Sequence, residues 1–227
     1  MPKLEDTWER LRPYQKEGVN RMQRRSRWLM CDDMGLGKTV SCIVSALQKS
    51  KHSRRTRCVV LCGTNAMGVW KQEFEKWSEI KPTVYSGTPT QRKKIWDQFL
   101  KDEANGTAEQ KNAIITTYAM LKELPKGWMA MFCDEYHQAG IMNHKTKTYH
   151  LVQEHAPYVD CLYLMTGTPI RQGVIDLYSP LHLIDPDQFG NYWAYVNRYC
   201  ITIDTPFGKS IERNPKNIPA FREMICA

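Results

Sequence analysis

The residues with the clearest chemical capacity lie at positions 32–39, where Asp32 and Asp33 are followed by Met34, Gly35, Leu36, Gly37, Lys38 and Thr39. Glycines let successive backbone N–H groups curl around a phosphate, and a helix starting directly afterwards adds the positive end of its dipole. Lys38 has the reach for β- and γ-phosphates, and Thr39 offers a hydroxyl to Mg²⁺. The spacing is that of a phosphate-binding loop with one departure, Asp32 in place of the first glycine. A second candidate pair is Asp134-Glu135, which closes the apolar run 129–133. A carboxylate at a strand exit can hold Mg²⁺, and its neighbour can polarise an attacking water. Alone that pair says little; beside a phosphate loop it supplies the other half of a nucleoside-triphosphate site.

Other chemistry is thin. His144, His150 and His155 have no acid or cysteine at ligand spacing, so no structural metal is expected. The eight cysteines (31, 42, 58, 62, 133, 161, 200 and 226) form no C-x-x-C pair and read as reduced and structural. Trp70, Trp77 and Trp96 fall at helical core spacing, which favours packing over base stacking.

Positions 32–39 and 134–135 can meet only if the elements between them form one scaffold. Strands are predicted at 28–31, 57–62, 83–85, 113–117, 129–133 and 161–165. Helices are predicted over 14–24, 38–49, 90–101, 146–155 and 175–184, with another carrying Trp70, Phe74 and Trp77. The chain beyond Pro186 is aromatic, then proline-rich, and reads as less regular. Alternation of helices with these strands predicts an α/β fold, a doubly wound, mainly parallel sheet with helices on both faces. Ligands in such sheets bind at the carboxyl ends of the strands. The segments following the predicted strands are rich in small, hydroxyl and acidic residues.

Composition bounds the remaining classes. The chain has 227 residues, 42% hydrophobic and 25% charged, as expected of a globular protein. Its longest uncharged stretch, 58–70, contains Gly, Thr and Asn and is too short and polar for a bilayer span. The first twenty residues are studded with charge and hold no secretory core. An intracellular location, cytoplasmic or nuclear, without membrane association is expected. The net charge is +8 and uneven: residues 1–57 carry 14 Lys/Arg against 6 Asp/Glu, and the remainder is balanced. Two runs, 21–27 and 51–57, hold most of the excess. A nucleic-acid footprint is one reading of them. Both runs join a helix to a strand, on the edge away from the predicted site, which favours solvation and long-range steering.

Five blocks in order resemble a known family. They are LRPYQKEGV at 11–19, DDMGLGKT at 32–39, WKQEFEKW at 70–77, DEYH at 134–137, and TGTPI at 166–170 with its trailing helix. Together they resemble the ATP-binding RecA-like lobe of superfamily two helicases, and more narrowly of the Swi/Snf-type DNA translocases, where an acid opens the phosphate loop. The resemblance implies that Arg12 and Gln15 bind the adenine end of ATP, while Met34, Gly35, Leu36, Gly37, Lys38 and Thr39 hold its phosphates. It implies Thr39 and Asp134 as Mg²⁺ ligands, Glu135 as the catalytic base, and His137 as a relay to Thr166, Gly167 and Thr168. Thr64, Asn65, Gly87 and Thr117 match positions that touch a DNA strand. Two departures stand out: Gly63 where proline is common, and Arg171-Gln172 where a Gln-Asn pair is common.

The family's engine has two lobes. Residues 1–185 match the first, 186–227 read as its extension, and no second-lobe motif precedes Ala227. The implied partners are duplex DNA and a second RecA-like lobe, in the same chain or another. The expected activity is hydrolysis of ATP with Mg²⁺, coupled to movement on duplex DNA. The alternatives are a DExH RNA helicase lobe and a nucleotide-gated nucleic-acid-binding module without turnover.

Overall fold

A computed structural model describes residues 4–106, 110–206, 208–216, 218–219 and 221. Two short helices open the chain, α1 (Leu4–Arg10) and α2 (Pro13–Met22). Strand–helix units follow: β1 (Arg27–Met30), α3 (Lys38–Ser50), β2 (Arg57–Leu61), α4 (Met67–Trp77), β3 (Lys81–Val84), α5 (Pro89–Ala104) and β4 (Asn112–Thr116). Then come β5 (Trp128–Asp134), α6 (Lys147–His155), β6 (Val159–Met165) and α7 (Tyr178–Ile184).

The six strands form one sheet in the order β1-β6-β5-β2-β4-β3, and every pairing is parallel. Strands buried on both faces should read as continuous apolar runs. Those of β2, β4, β5 and β6 do, and their side chains alternate between two cores. Cys58, Val60, Ala113, Ile115, Phe132 and Tyr163 face the first core, with Val19, Ile43, Val44, Trp70 and Phe74 from α2, α3 and α4. Val59, Leu61, Ile114, Met131, Leu162 and Leu164 face the second, with Phe99, Tyr149, Val152 and Leu183 from α5, α6 and α7. The expected doubly wound fold is found, with six strands in the sheet.

Helix boundaries follow local chemistry. Thr88 and Thr146 cap α5 and α6, each hydroxyl accepting the N–H three residues on. The predicted helix 175–184 divides into a 3-10 turn, Val174–Leu177, and α7.

The region beyond Pro186 is more regular than its composition suggests. It contains α8 (Tyr192–Tyr199) and the antiparallel pair β7 (Cys200–Thr205) and β8 (Gly208–Pro215). Asn191 caps α8, and Tyr195, Val196 and Tyr199 pack with Val174, Leu177 and Phe189 in a third core. Phe207 and Cys226 lie outside the described residues.

The basic runs have structural roles. Each leads into the start of a strand, on the edge opposite the strand exits. Arg27 donates to the carbonyls of Leu183 and Ala156 at 2.9 and 3.3 Å. Arg55 pairs with Asp160, and Arg57 grips Glu103 at the end of α5 through Nε and Nη2 at 2.6–2.9 Å. Solvation and long-range steering were the expected roles for these charges; Arg27 and Arg57 instead tie helical segments to the base of the sheet, and Arg55 ties the connection before β2 to β6.

Hydrogen bonds from Arg57 hold the Glu103 carboxyl below its ordinary value. A depressed carboxylate stabilises the fold above its unfolded pKa and loses that contribution as pH falls through its folded value. Arg57→Gln is therefore expected to cost about 1 kcal/mol at neutral pH for this partly exposed pair, roughly 2–4 °C in Tm. The gap should close on acidification below the carboxylate range. Thermal melts across pH check this, and a pH-independent gap would exclude the pairing as its source.

Candidate functional site

The strand β1 ends at Met30 and releases an exposed loop whose two glycines have left-handed backbones, φ 84° at Gly35 and 78° at Gly37. Side-chain-bearing residues are strained there, so glycine lets the loop turn back on itself. Gly37 is the N-cap of α3 and contributes no capping side chain, which leaves the first helical N–H groups for an anion. Lys38 is buried, and its Nζ donates to the carbonyls of Asp32 and Asp33 at 2.8 and 3.1 Å. Asp32 thus serves the loop through its backbone. Thr39, half-buried, sits one residue into the helix.

Gln15 reaches this loop from α2. Its Oε1 accepts the Arg12 N–H at 3.0 Å, and its Nε2 donates to the Leu36 carbonyl at 3.1 Å. The Tyr14 hydroxyl donates to the same carbonyl at 3.1 Å. Arg12, Gln15 and residues 34–39 are therefore one neighbourhood. Met34 and Leu36 are exposed on it.

The opposite wall is the end of β5. Asp134 is backed by two donors: Trp70 Nε1 to Oδ2 at 2.8 Å, and the Tyr118 hydroxyl to its main-chain carbonyl at 2.8 Å. Burial, above all, pushes the Asp134 carboxyl up, and the Trp70 hydrogen bond and the Lys38 charge oppose that. Glu135 has φ 44°, the one left-handed non-glycine among the described residues. Such strain persists where the surroundings over-determine a conformation, and it clusters at reactive positions. Its Oε2 is buried 3.1 Å from His137 Nδ1, in poor alignment, and has no hydrogen-bond partner among the described residues.

His137 Nδ1 also lies 2.7 Å from Thr166 Oγ1, which accepts the Thr168 N–H at 3.0 Å. A methyl group on Gly167 would lie 3.1 Å from Met34 Cγ and 3.8 Å from Lys38 Nζ. The three segments 32–39, 134–137 and 166–168 therefore converge. Parallel register explains it: Met30 and Asp134 both align with Met165, so three adjacent strands end at one level.

The donor set suits a divalent cation with a triphosphate. It offers a threonine hydroxyl, a carboxylate backed by an indole, a buried carboxylate oxygen without a partner among the described residues, and a lysine beside a helix N-terminus. Thr39 and Asp134 are the residues able to hold the cation.

Thr64, Asn65, Gly87 and Thr117 stand apart from this group. They follow β2, β3 and β4, on the same edge of the sheet but in its other half. Thr64 and Asn65 are exposed in the 3-10 turn Thr64–Ala66, and Gly87 is exposed with φ 96°. Gly63 has φ −67° and ψ 153°, the backbone a proline would adopt.

Two residues in the site were not expected there. Trp70 is core, as its spacing implies, yet its indole N–H holds Asp134. Tyr118 carries no local signal at all. A third, Asp176, organises the loop after Thr168: its Oδ2 accepts the N–H groups of Arg171, Gln172 and Gly173 at 2.7, 2.6 and 3.3 Å.

Comparison with known proteins agrees with this geometry. The family model of the SNF2-related domain matches residues 14–225. Chromodomain-helicase-DNA-binding protein 8 of Xenopus tropicalis is 30% identical over 205 residues, which is 83% of this chain and 9% of that protein. The human protein of the same name is 31% identical over 195 residues, 79% of this chain and 7% of that one. Among solved structures, the SWI2/SNF2 ATPase core of Sulfolobus solfataricus in complex with dsDNA superposes with a TM-score of 0.64 at 27% identity, covering 83% of this chain and 38% of that one. The chain thus spans under a tenth of these relatives and about two fifths of the solved core. The fold is the RecA-like α/β fold of that core, and the chain belongs to the SNF2-related domain family.

Proposed function

We propose that this chain is the ATP-binding lobe of a DNA-dependent ATPase that moves on duplex DNA. One observation carries the reading: the loop 32–39, residues 134–137 and residues 166–168 leave three adjacent strands at one level, and among them Glu135 keeps an unpartnered carboxylate oxygen on a strained backbone beside His137. A general base needs a free lone pair where an attacking water would sit. Lys38 and the first N–H groups of α3 hold the phosphates, with Lys38 exchanging its two carbonyl partners for phosphate oxygens. Gln15 and Arg12 receive the adenine end. Thr39 and Asp134 hold Mg²⁺, which when bound would offset charge on the β- and γ-phosphates. His137 links the base to Thr166, and so reports the state of the nucleotide to residues 166–168.

Duplex DNA is supported as partner by the solved SWI2/SNF2 core, whose complex contains dsDNA. In this reading residues 1–185 form the lobe and 186–227 its extension. A second lobe completes the site with an arginine finger, worth roughly 10³–10⁵ in turnover. The lobe alone therefore binds ATP weakly and hydrolyses it poorly.

The primary experiment measures ATP binding and hydrolysis by residues 1–227, with and without duplex DNA and with duplex RNA as contrast. Lys38→Ala is the blank and is expected to weaken ATP binding at least tenfold, the scale of one lost charge-assisted contact. Glu135→Gln is expected to bind ATP like the native chain while its turnover stays at the blank. Native turnover that survives in Glu135→Gln would remove Glu135 as the base.

Gly37→Ala tests the loop. The added methyl group would strain a left-handed backbone and run into the Gln15 amide. ATP binding should be lost, with destabilisation of about 1–2 kcal/mol. Titration and melting check the two effects, and unchanged affinity would show that the loop need not hold this shape.

A further inference from the structure

Asp134 is the point where hydrogen-bonded paths from the outer half of the sheet's exit edge come together. One path runs along α4. The exposed turn Thr64–Ala66 leads directly into this helix, and Trp70 on its inner face donates to the Asp134 carboxylate at 2.8 Å. Trp70 has little room to move on its own. It is 1% exposed, with ring centroids 5.5 Å from Phe132 and 5.8 Å from Phe74. A displacement of the turn therefore reaches the indole as a displacement of the helix.

The second path starts at Thr117. The next residue, Tyr118, opens the 3-10 turn Tyr118–Glu123 and donates to the Asp134 main-chain carbonyl at 2.8 Å. The same turn is bolted to the Gly87 loop. Arg92 donates to the Gly87 carbonyl at 2.5 Å and to both Glu123 oxygens at 2.8 Å, and the Tyr85 hydroxyl donates to Glu123 at 3.0 Å. The three exits at 64–65, 87 and 117 are thus linked to one carboxylate, through its side chain on one route and its main chain on the other.

We propose that Trp70 and Tyr118 are positioning residues that transmit contact at the exits of β2, β3 and β4 to Asp134, and so set its carboxylate for the divalent cation of the bound nucleotide. The inference rests on the proposed Mg²⁺·ATP site and on duplex contact at these exits. It adds the route by which a duplex touching one half of the edge changes cation binding in the other. By linkage, the cation–nucleotide complex must change duplex affinity by the same factor.

The test uses Mn²⁺ as the cation, ATP and a short DNA duplex, with residues 1–227 and the variants Trp70→Phe and Tyr118→Phe. Tyr118→Phe keeps the ring and removes a single hydroxyl; Trp70→Phe deletes the indole donor but puts a smaller ring in a packed site, so Tyr118→Phe serves if Trp70→Phe does not fold. ATP affinity is measured without metal, with Mn²⁺, and with Mn²⁺ plus duplex, and Tm is recorded alongside. The expected result is that both variants keep metal-free ATP affinity, with Tyr118→Phe near the native Tm, but lose part of the Mn²⁺-dependent gain: about tenfold in Trp70→Phe, as for a lost hydrogen bond to a charged group, and about fivefold in Tyr118→Phe, whose acceptor is a neutral carbonyl. The change in affinity that the duplex causes in the native chain should fall towards one in both variants. Variants that retain the gain and the duplex effect would overturn the proposal, as would an equal loss with and without metal, which marks general loosening. A native chain whose Mn²⁺–ATP affinity ignores the duplex would overturn the transmission. A native chain with no Mn²⁺-dependent gain at all would instead remove the Mg²⁺·ATP reading beneath it.

Discussion

A carboxylate at the end of a buried strand is costly to keep charged, because little water reaches it and its neighbours must replace that solvation. Asp134 is in this position at the end of β5, with a second carboxylate directly after it. The arrangement around it answers that cost. An indole N–H occupies one carboxylate oxygen, the Lys38 charge lies across the site, and the tyrosine after β4, two strands away, fixes its main chain. A cation between Asp134 and Thr39 would complete the compensation. The surrounding core, with Phe132, Phe74 and Tyr163 packed ring to ring, keeps these donors in place.

The parallel sheet makes such convergence possible. Its order divides the exit edge into two halves. The exits of β1, β6 and β5 carry the phosphate loop, residues 166–168 and residues 134–137, while β2, β4 and β3 carry the segments at 63–65, 117 and 87. The halves meet where β5 lies beside β2, with Cys133 aligned to Leu61. Neighbouring strands are about 4.8 Å apart. Asp134 therefore lies level with Cys62, about one strand spacing away, and the helix that follows the turn at 64–66 bridges the two halves through Trp70.

Much of this was legible in the sequence because it depends on local rules. Apolar runs with small or acidic residues at their ends marked the strands and their exits. The glycines at 35 and 37 marked backbone that only they adopt freely, and Lys38-Thr39 marked the helix start. What escaped depended on partners far along the chain. Trp70 and Asp134 are 64 positions apart, so the indole spacing announced only a buried face. Helix α1 has a weak apolar pattern and is anchored by a polar bond, Thr7 Oγ1 to the Trp77 carbonyl at 2.9 Å. Helix α8 was readable in principle, since Asn191 caps a Tyr195-Val196-Tyr199 face; the prolines nearby obscured it. The basic runs show the limit most plainly. The same letters describe a solvated loop, a nucleic-acid track or a set of ties, and only Asp160 and Glu103, brought close by the fold, decide it.

The placement of those arginines also constrains how a nucleic acid could be held. Arg27, Arg55 and Arg57 sit at or before strand starts, with their donors committed to carbonyls and carboxylates. A strand of five residues such as β2 is about 16 Å long at 3.3 Å per residue. The Debye length at physiological ionic strength is about 8 Å. The field of these paired charges is thus largely screened before it reaches the exit edge. Steering by the +8 excess belongs to low salt; a grip on a backbone at the exits must be assembled from what is there. At 64, 65, 87 and 117 that means hydroxyls, an amide and backbone N–H groups next to a left-handed glycine, donors that fit a phosphate by shape and direction more than by charge.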